Sequence, residues 1–231
     1  MRVPTHRPAI ERISPYVPGK PITEVQEEHG LEDIIKLASN ENALGPSPQA
    51  IQALEQAISS VHIYPDGAAR ALRSAIAQAY GVLPDEVFIG NGSDEIIKLL
   101  AEALLLPDDE VVFADVTFSE YAYATRLMGA REAVVPVLAE THDLRAMAAR
   151  ISQQTKIVYI CNPNNPTGTY VGVDALDEFL SSVPEGVLVV LDEAYAEYAD
   201  ASDFPDVVDL MRQGQPVATM RTFSKIYGLA G

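Results

Sequence analysis

Short apolar segments with strand character alternate with helical segments along most of this chain, and this alternation constrains the fold more than any other feature. Seven segments are typical of strands, and they are residues 34–38, 86–89, 110–114, 132–137, 156–161, 187–191 and 216–220. Apolar strands separated by helices favour a parallel sheet whose two faces are both covered. We therefore predict an α/β fold with a mostly parallel, seven-stranded type of sheet sandwiched by helices.

The first 22 residues are rich in proline and lack any hydrophobic period, which predicts an extended N-terminal arm. A short helix is expected over 23–29, with Thr23 as its N-cap, and another is expected to begin at Pro48 with Ser47 as its N-cap. We interpret residues 1–30 as the arm with its short helix, and residues 31–231 as a single large domain. Further helices are predicted over 68–80, 94–106, 119–128, 144–151, 173–182 and 207–212.

The charge balance limits the kinds of partner. The 231 residues carry 16 Lys and Arg against 33 Asp and Glu, a formal net charge of −17, which disfavours nucleic acid and anionic membranes. The one cysteine excludes an internal disulfide and fits a reducing compartment. No targeting segment is visible and no apolar stretch is long enough to span a bilayer, so a cytoplasmic protein is expected.

Polar residues follow four of the predicted strands. These segments are Gly90 to Glu95, Asn162 to Gly168, Asp192 to Tyr195, and Thr222 to Lys225. The carboxyl ends of parallel strands meet at one edge of a sheet, so the four segments are expected to share a crevice. Each has a simpler interpretation as a helix cap, a turn or a solvated loop, and only their joint occurrence favours a ligand site.

The chemistry of these segments favours pyridoxal phosphate as the ligand. A neutral Lys225 amine can form a Schiff base with an aldehyde, and flanking hydroxyls can hold a phosphate. Asp192 follows a buried strand, where a carboxylate is costly unless it meets a cation such as a pyridinium nitrogen. The glycine turn before residue 93 leads into a helix N-terminus, whose N–H groups suit a phosphate.

The same residues resemble a known family. Asn165-Pro-Thr-Gly168, Asp192-Glu-Ala-Tyr195 and Ser224-Lys225 followed by Leu229-Ala-Gly231 are similar to the motifs of fold-type I pyridoxal phosphate-dependent aminotransferases. Leu37-Ala-Ser-Asn-Glu-Asn42, Tyr64-Pro-Asp66 and Gly92-Ser-Asp-Glu95 resemble the histidinol-phosphate aminotransferase branch, as does the segment from Ile13 to Gly19. The resemblance covers the whole chain.

The resemblance implies a role for each matching position. Lys225 would attach to the cofactor and carry protons, Asp192 would pair with the pyridine nitrogen, and Tyr195 with Asn165 would contact the ring hydroxyl oxygen. The phosphate would be held by Gly92, Ser93, Asp94, Thr222 and Ser224, and Phe118 would stack on the ring. Tyr64 would reach the site of a second subunit, which implies a homodimer, while Tyr16 and Asn42 would border the substrate. No metal is implied.

The implied reaction is transamination of histidinol phosphate with 2-oxoglutarate in histidine biosynthesis. Aromatic amino acid transamination and threonine-phosphate decarboxylation are alternatives within the superfamily, and a regulatory module that binds the cofactor without turnover is an alternative of another class. The family's motif continues past Gly231 to an arginine for the phosphate, and a further domain supplies an arginine for the substrate carboxylate. The chain is therefore expected to be C-terminally truncated, and these 231 residues alone are expected not to transaminate.

Overall fold

A five-stranded parallel sheet forms the centre of the larger of two units in the computed structural model, which describes residues 5–13 and 19–231. This unit comprises residues 5–13 and 60–222. Its strands, in the spatial order β2-β1-β3-β4-β5, are β1 (Glu110–Ala114), β2 (Arg131–Val135), β3 (Thr155–Cys161), β4 (Leu188–Asp192) and β5 (Val217–Met220). All four pairings are parallel, which confirms the predicted α/β class.

Two of the seven predicted strands are wrong. Residues 34–38 are irregular, and Ile35 and Leu37 are both 88% exposed. Residues 86–89 follow a 3-10 turn over Pro84–Glu86, in which the Leu83 N–H donates to Glu86 Oε2 at 2.7 Å. A run of residues forms a strand only where a neighbouring strand pairs with it. In the described residues, 5–13 and 19–231, neither of these two runs is part of the sheet.

Six helices and four 3-10 turns accompany this sheet in residues 5–13 and 58–222. They are α3 (Arg70–Tyr80), α4 (Gly92–Leu104), α5 (Glu120–Met128), α6 (Leu144–Arg150), α7 (Val173–Ser182) and α8 (Val207–Arg212), with 3-10 turns at Pro8–Arg12, Ile58–Ser60, Pro84–Glu86 and Ala196–Tyr198. The predictions over 173–182 and 207–212 are confirmed to the residue. Helix α4 begins two residues earlier than predicted, at Gly92, a residue whose φ of +74° at the turn into the helix suits glycine.

The alternating residues of each strand divide the core into two layers. Val112, Val158 and Leu191 face α6, α7 and α8 through side chains such as Met147, Leu176 and Leu210. The opposite face carries Val111, Tyr159 and Cys161, which pack with residues of α4 and α5 such as Ile97, Tyr121 and Ala124. Sandwiching of the sheet by helices is thereby confirmed. No helix among residues 5–13 and 19–231 is long and apolar enough to cross a membrane.

The second unit comprises residues 19–59 and 223–231 and contains α1 (Ile22–His29) and α2 (Pro48–Ala57). Ser47 caps α2 as predicted, because its side chain accepts a hydrogen bond from the Ala50 N–H at 3.1 Å. The Thr23 cap is wrong: α1 begins at Ile22, and Pro21 is the residue that precedes it. Proline has a fixed φ that suits the start of a helix, which lets α1 begin without a capping side chain.

Candidate functional site

Asp192, which the sequence singled out, is a buried acidic side chain at the carboxyl edge of the sheet. It is the last residue of β4 and is 2% exposed. The Tyr121 hydroxyl donates to its Oδ2 at 2.7 Å, and the Ala194 N–H donates to its Oδ1 at 3.1 Å. A buried carboxylate is stable only when such donors or a cation accompany it, and this one has both oxygens engaged by donors.

Tyr121 holds Asp192 from the neighbouring helix α5, and sequence reasoning did not find it. Its ring is fully buried and stacks on Tyr159 of β3, with centroids 4.4 Å apart and planes at 5°. Burial raises the pKa of Tyr121 well above its usual range, and the nearby Asp192 charge adds to the rise. The hydroxyl therefore keeps its proton and acts as a donor.

Phe118 also lies beside this pair. It meets Tyr121 edge-on, with ring centroids 5.8 Å apart and planes at 84°, and it is half-buried against the core. Phe118 precedes α5 in the segment that follows β1, so it belongs to the same edge of the sheet as Asp192. A half-buried aromatic ring at this edge is suited to stacking on a planar ligand.

The loop after β3 carries three asparagines that behave differently. Asn162 is buried and exchanges two hydrogen bonds with the backbone of Val171, at 2.8 and 3.1 Å. Asn164 is also buried, and it bonds Thr117, Thr167 and the Val116 carbonyl. Asn165, the residue that the sequence singled out, is half-buried and donates its backbone N–H to Cys161 Sγ at 3.4 Å. The first two asparagines fix the loop, and the peptide bonds before Pro163 and Pro166 are both cis.

The register of the sheet explains how these segments meet. Cys161 of β3 and Met220 of β5 both pair with Asp192 of β4, so three strands end side by side. The segments that leave them carry Asn165, Tyr195 and Thr222, and all three residues are half-buried. Tyr195 leads directly into the 3-10 turn over Ala196–Tyr198. The structure therefore brings these residues to one edge of the sheet, together with Asp192.

The N-terminus of α4 contributes Gly92, Ser93 and Asp94. Gly92 has open space around the position of a Cβ atom, Ser93 is half-buried, and Asp94 is exposed. The Asn91 N–H just before the helix donates to Glu95 Oε2 at 2.5 Å, which fixes the entry of the chain. The free N–H groups of a helix start and the partial positive charge there suit an anion.

A second acidic residue at the same edge, Glu193, joins β4 to the end of β5. It is 1% exposed and accepts from the Thr219 hydroxyl at 2.6 Å and from Arg221 Nε at 3.1 Å. The Arg221 guanidinium also lies 4.9 Å from the centroid of the Tyr80 ring. Burial raises the pKa of Glu193, and the Arg221 charge offsets part of that rise. This pair fixes the course of the chain immediately before Thr222.

The second unit holds the remaining predicted residues in one cluster. The Lys225 amine donates to the carbonyl oxygen of Ser39 at 3.3 Å, and Asn42 Nδ2 donates to the carbonyl of Ile226 at 2.7 Å. Gly228 lies directly against Gly45, since a Cβ at Gly228 would stand 2.6 Å from the Gly45 carbonyl carbon. The structure therefore places Ser224 and Lys225 on a segment anchored to residues 39–45, and brings Asn42 to that segment.

Two further predicted residues stand apart. Tyr64 is 97% exposed, and nothing among the described residues covers it. Tyr16 lies outside the described residues.

Cys161 is buried, and burial raises the pKa of its thiol to about 12, with the Asp192 charge adding to the rise. No group of three or more potential metal ligands occurs among residues 5–13 and 19–231.

The parallel sheet with helices on both faces and a buried carboxylate at its carboxyl edge define an α/β protein with a candidate ligand site at the strand ends. Comparison with known proteins identifies the family: the chain belongs to the aminotransferases of class I and II, whose family model matches residues 32–231.

Named relatives extend the comparison. The chain is 56% identical over 230 residues to a histidinol-phosphate aminotransferase of Moorella thermoacetica, covering 99% of this chain and 60% of that protein. It is 48% identical to one of Halalkalibacterium halodurans, covering 97% of this chain and 61% of that protein. The crystal structure of histidinol-phosphate aminotransferase from Sinorhizobium meliloti in complex with pyridoxal-5′-phosphate matches with a TM-score of 0.87 and 29% identity, over 98% of this chain and 60% of that one. The chain thus spans about three fifths of the length of these relatives.

Proposed function

We propose that this chain is the cofactor-binding part of a pyridoxal phosphate-dependent aminotransferase, with residues 31–231 forming its large domain and residues 1–30 an N-terminal arm and short helix. The proposed reaction converts histidinol phosphate and 2-oxoglutarate to imidazole acetol phosphate and glutamate, a step of histidine biosynthesis, which would take place in the cytoplasm. Relatives 56% and 48% identical that carry the name histidinol-phosphate aminotransferase support this choice of substrate.

The buried carboxylate of Asp192 is the observation that carries the proposal. It is 2% exposed at the end of β4, and the Tyr121 hydroxyl and the Ala194 N–H donate to its two oxygens beside an apolar layer of the core. A cationic pyridinium ring is the chemical complement of such a group, because it neutralises the charge while stacking against apolar side chains. The residues present therefore fit pyridoxal phosphate.

The other residues suit the remaining parts of the cofactor. Phe118 offers a ring face, and Tyr195 and Asn165 offer polar groups beside Asp192 for the ring hydroxyl oxygen. The N–H groups of Gly92, Ser93 and Asp94, together with the hydroxyls of Thr222 and Ser224, would hold the phosphate. Asp94 would act through its backbone, since its carboxylate repels a phosphate.

When bound, pyridoxal phosphate supplies an electron sink that stabilises negative charge on the α-carbon of the substrate. Asp192 would keep the proton on the ring nitrogen, which makes that sink effective. Lys225 would attach to the cofactor through Nζ and then carry the proton to and from the substrate α-carbon. Asn42 would border the substrate, as would Tyr16.

A homodimer is part of the proposal. Helix α2 and the 3-10 turn that follows it present Ile51, Leu54 and Ile58 at helical spacing, and these residues are 44%, 55% and 66% exposed. Apolar faces of this kind mark interaction surfaces, and a second copy of the chain is the proposed occupant. The exposed Tyr64 would then reach the cofactor phosphate of the partner.

The test compares the wild-type chain with Lys225→Ala and Lys36→Ala after addition of one equivalent of pyridoxal phosphate. Wild type and Lys36→Ala are expected to develop a visible absorption band, and borohydride should fix the cofactor on Lys225 in the peptide mass map. Lys36 is the control because it lies in the same unit, paired with Glu41. Fixation on another lysine, or an unchanged band in Lys225→Ala, would overturn the assignment. Substrate choice is tested by the spectral response to histidinol phosphate against phenylalanine.

A further inference from the structure

The hydrogen bond between Tyr121 and Asp192 joins two residues 71 positions apart, and no sequence motif of the chain predicts it. Asp192 ends β4, whereas Tyr121 lies in the first turn of α5 on the adjacent core layer. Both side chains are buried, at 2% and 0% exposure, so no bulk water competes for the bond. A hydrogen bond to a charged group in such surroundings is among the stronger ones in proteins.

The Tyr121 ring has little freedom to move. It stacks on Tyr159 at 4.4 Å in a nearly parallel arrangement and receives the edge of Phe118 at 5.8 Å. The Tyr121 carbonyl also accepts the Thr125 hydroxyl at 2.7 Å, one turn along α5. The hydroxyl is thus aimed at Asp192 Oδ2 by packing on both sides of its ring.

We infer that Tyr121 is a positioning residue for the cofactor site: it holds the Asp192 carboxylate in its charged form and in one orientation. The inference rests on the proposed function, because Asp192 acts there on the pyridine nitrogen. Tyr121 touches neither substrate nor cofactor in this scheme and acts only through Asp192. A donor to a carboxylate favours the charged form, and Tyr121 supplies that donor from a side chain that itself stays protonated.

Tyr159 provides a matched control inside the same stack. It is 1% exposed, and its hydroxyl has no hydrogen-bond partner among the described residues. Removing an unpaired buried hydroxyl costs little, whereas removing a hydrogen-bonded one leaves its partner unsatisfied. Tyr121→Phe and Tyr159→Phe therefore make the same chemical change in two stacked rings, and only the first removes a hydrogen bond to Asp192.

Three of the titratable side chains in electrostatic contact with Asp192 belong to the core layer formed with α4 and α5. They are Tyr121 of α5 together with Tyr159 and Cys161 of β3, and burial raises the pKa of each. All three remain neutral at ordinary pH, so they add no competing charge change to a titration near neutrality. A shift seen in Tyr121→Phe can then be assigned to the lost donor.

The experiment is a pH titration of the visible absorption band of bound pyridoxal phosphate in wild type, Tyr121→Phe and Tyr159→Phe. Without its donor Asp192 takes a larger share of the proton from the ring nitrogen, so the ring withdraws electrons less strongly from the Lys225 nitrogen. The pH midpoint of the absorption change should therefore be higher in Tyr121→Phe by roughly half to one pH unit, which corresponds to the free energy of one hydrogen bond. Tyr159→Phe should titrate as wild type does.

The possible results distinguish failure of the proposed role of Tyr121 from failure of the proposed function. A wild-type chain that forms the band, with both phenylalanine variants titrating alike, overturns the role of Tyr121 and leaves the proposed function standing. A wild-type chain that forms no band overturns both. Unfolding of the three proteins without cofactor is measured in parallel, and a Tyr121→Phe midpoint shift with circular dichroism like that of wild type excludes misfolding as its cause.

Discussion

Glu193 and Arg221 form a largely buried ion pair, with Arg221 Nη2 3.0 Å from Glu193 Oε2. The side chains are 1% and 30% exposed, and the pair joins the residue after β4 to the residue after β5. It therefore sets the path of the chain four residues before Lys225.

Removing Arg221 should destabilise the protein strongly. Arg221→Met leaves the buried Glu193 carboxylate without its cation, and the free energy of unfolding should fall by roughly 3 kcal/mol. The control is Arg145→Met, which breaks an ion pair with Glu178 whose side chains are 85% and 64% exposed. That change should cost less than about 1 kcal/mol. Urea unfolding of both variants measures the difference, and equal losses would contradict the argument.

The pH dependence of stability should carry the signature of Glu193. Burial raises its pKa in the folded state above the ordinary value of 4.5, despite Arg221 nearby. The folded protein then binds this proton more tightly, so the contribution is fully present below pH 4.5 and declines as pH rises through the folded pKa. The stability of wild type relative to Glu193→Gln should therefore decline from pH 4.5 upward. A relative stability that rises with pH in this range would show the opposite shift.

Asp192→Asn tests the charge of Asp192 separately from its shape. The amide keeps an oxygen that can accept the Tyr121 hydroxyl, so pyridoxal phosphate should still bind, but the amide cannot hold the ring nitrogen's proton. The ¹⁵N resonance of labelled cofactor should move to the position of a neutral pyridine. In a version of the protein that catalyses the reaction, the activation free energy should rise by several kcal/mol, since a drop of one unit in the pKa of the ring nitrogen corresponds to about 1.4 kcal/mol. An unchanged resonance would mean that another residue faces the nitrogen.

Mixing two defective variants tests the shared site of the proposed dimer. Tyr64→Phe should retain cofactor poorly, and Lys225→Ala should not fix it on borohydride reduction. Subunit exchange between them produces heterodimers with one doubly altered site and one intact site, so fixation should recover in the mixture. Tyr198→Phe, at another exposed tyrosine, is the control and should behave as wild type does. A mixture that regains nothing would rule out a site shared between subunits.

Gly228 and Gly30 form a pair for testing the anchoring of the Lys225 segment. Both have positive φ, +67° and +64°, but a Cβ at Gly228 would lie 2.6 Å from Gly45 while one at Gly30 meets nothing within 4 Å. Gly30→Ala should cost about 1 kcal/mol of unfolding free energy for backbone strain alone. Gly228→Ala adds steric conflict and should cost roughly 1–3 kcal/mol more. It should also weaken attachment of the cofactor to Lys225, which Gly30→Ala should not do.

The sequence predicted those parts of the fold that depend on local pattern. The cap at Ser47, the bounds of α7 and α8, and five of the strands follow from short-range signals, since each is fixed by residues within a few positions. The runs at 34–38 and 86–89 have equally good strand character, yet a strand forms only when a distant neighbour pairs with it. Phe88 shows the outcome, because it is 69% exposed rather than buried in a sheet.

The site shows the same division between local and distant information. Asp192 is recognisable because a carboxylate after five apolar residues must lie at the buried end of a strand. Tyr121 carries no such signal: its place in a helical pattern predicts a buried ring, and its hydrogen bond depends on the packing of α5 against β3 and β4. Asn164 was missed for a similar reason, since its partners at residues 116 and 117 belong to the loop after another strand.

The burial of Cys161 has a practical consequence. The chain contains one cysteine, it is 1% exposed, and the pKa of its thiol is raised to about 12. Reagents that attack thiolates at neutral pH will leave it intact while the protein is folded. A cysteine introduced on the surface, for example in place of Ser59 or Glu178, can therefore carry a fluorophore or a spin label without removal of the natural thiol. Reaction of Cys161 itself becomes a measure of how often the strand ends open.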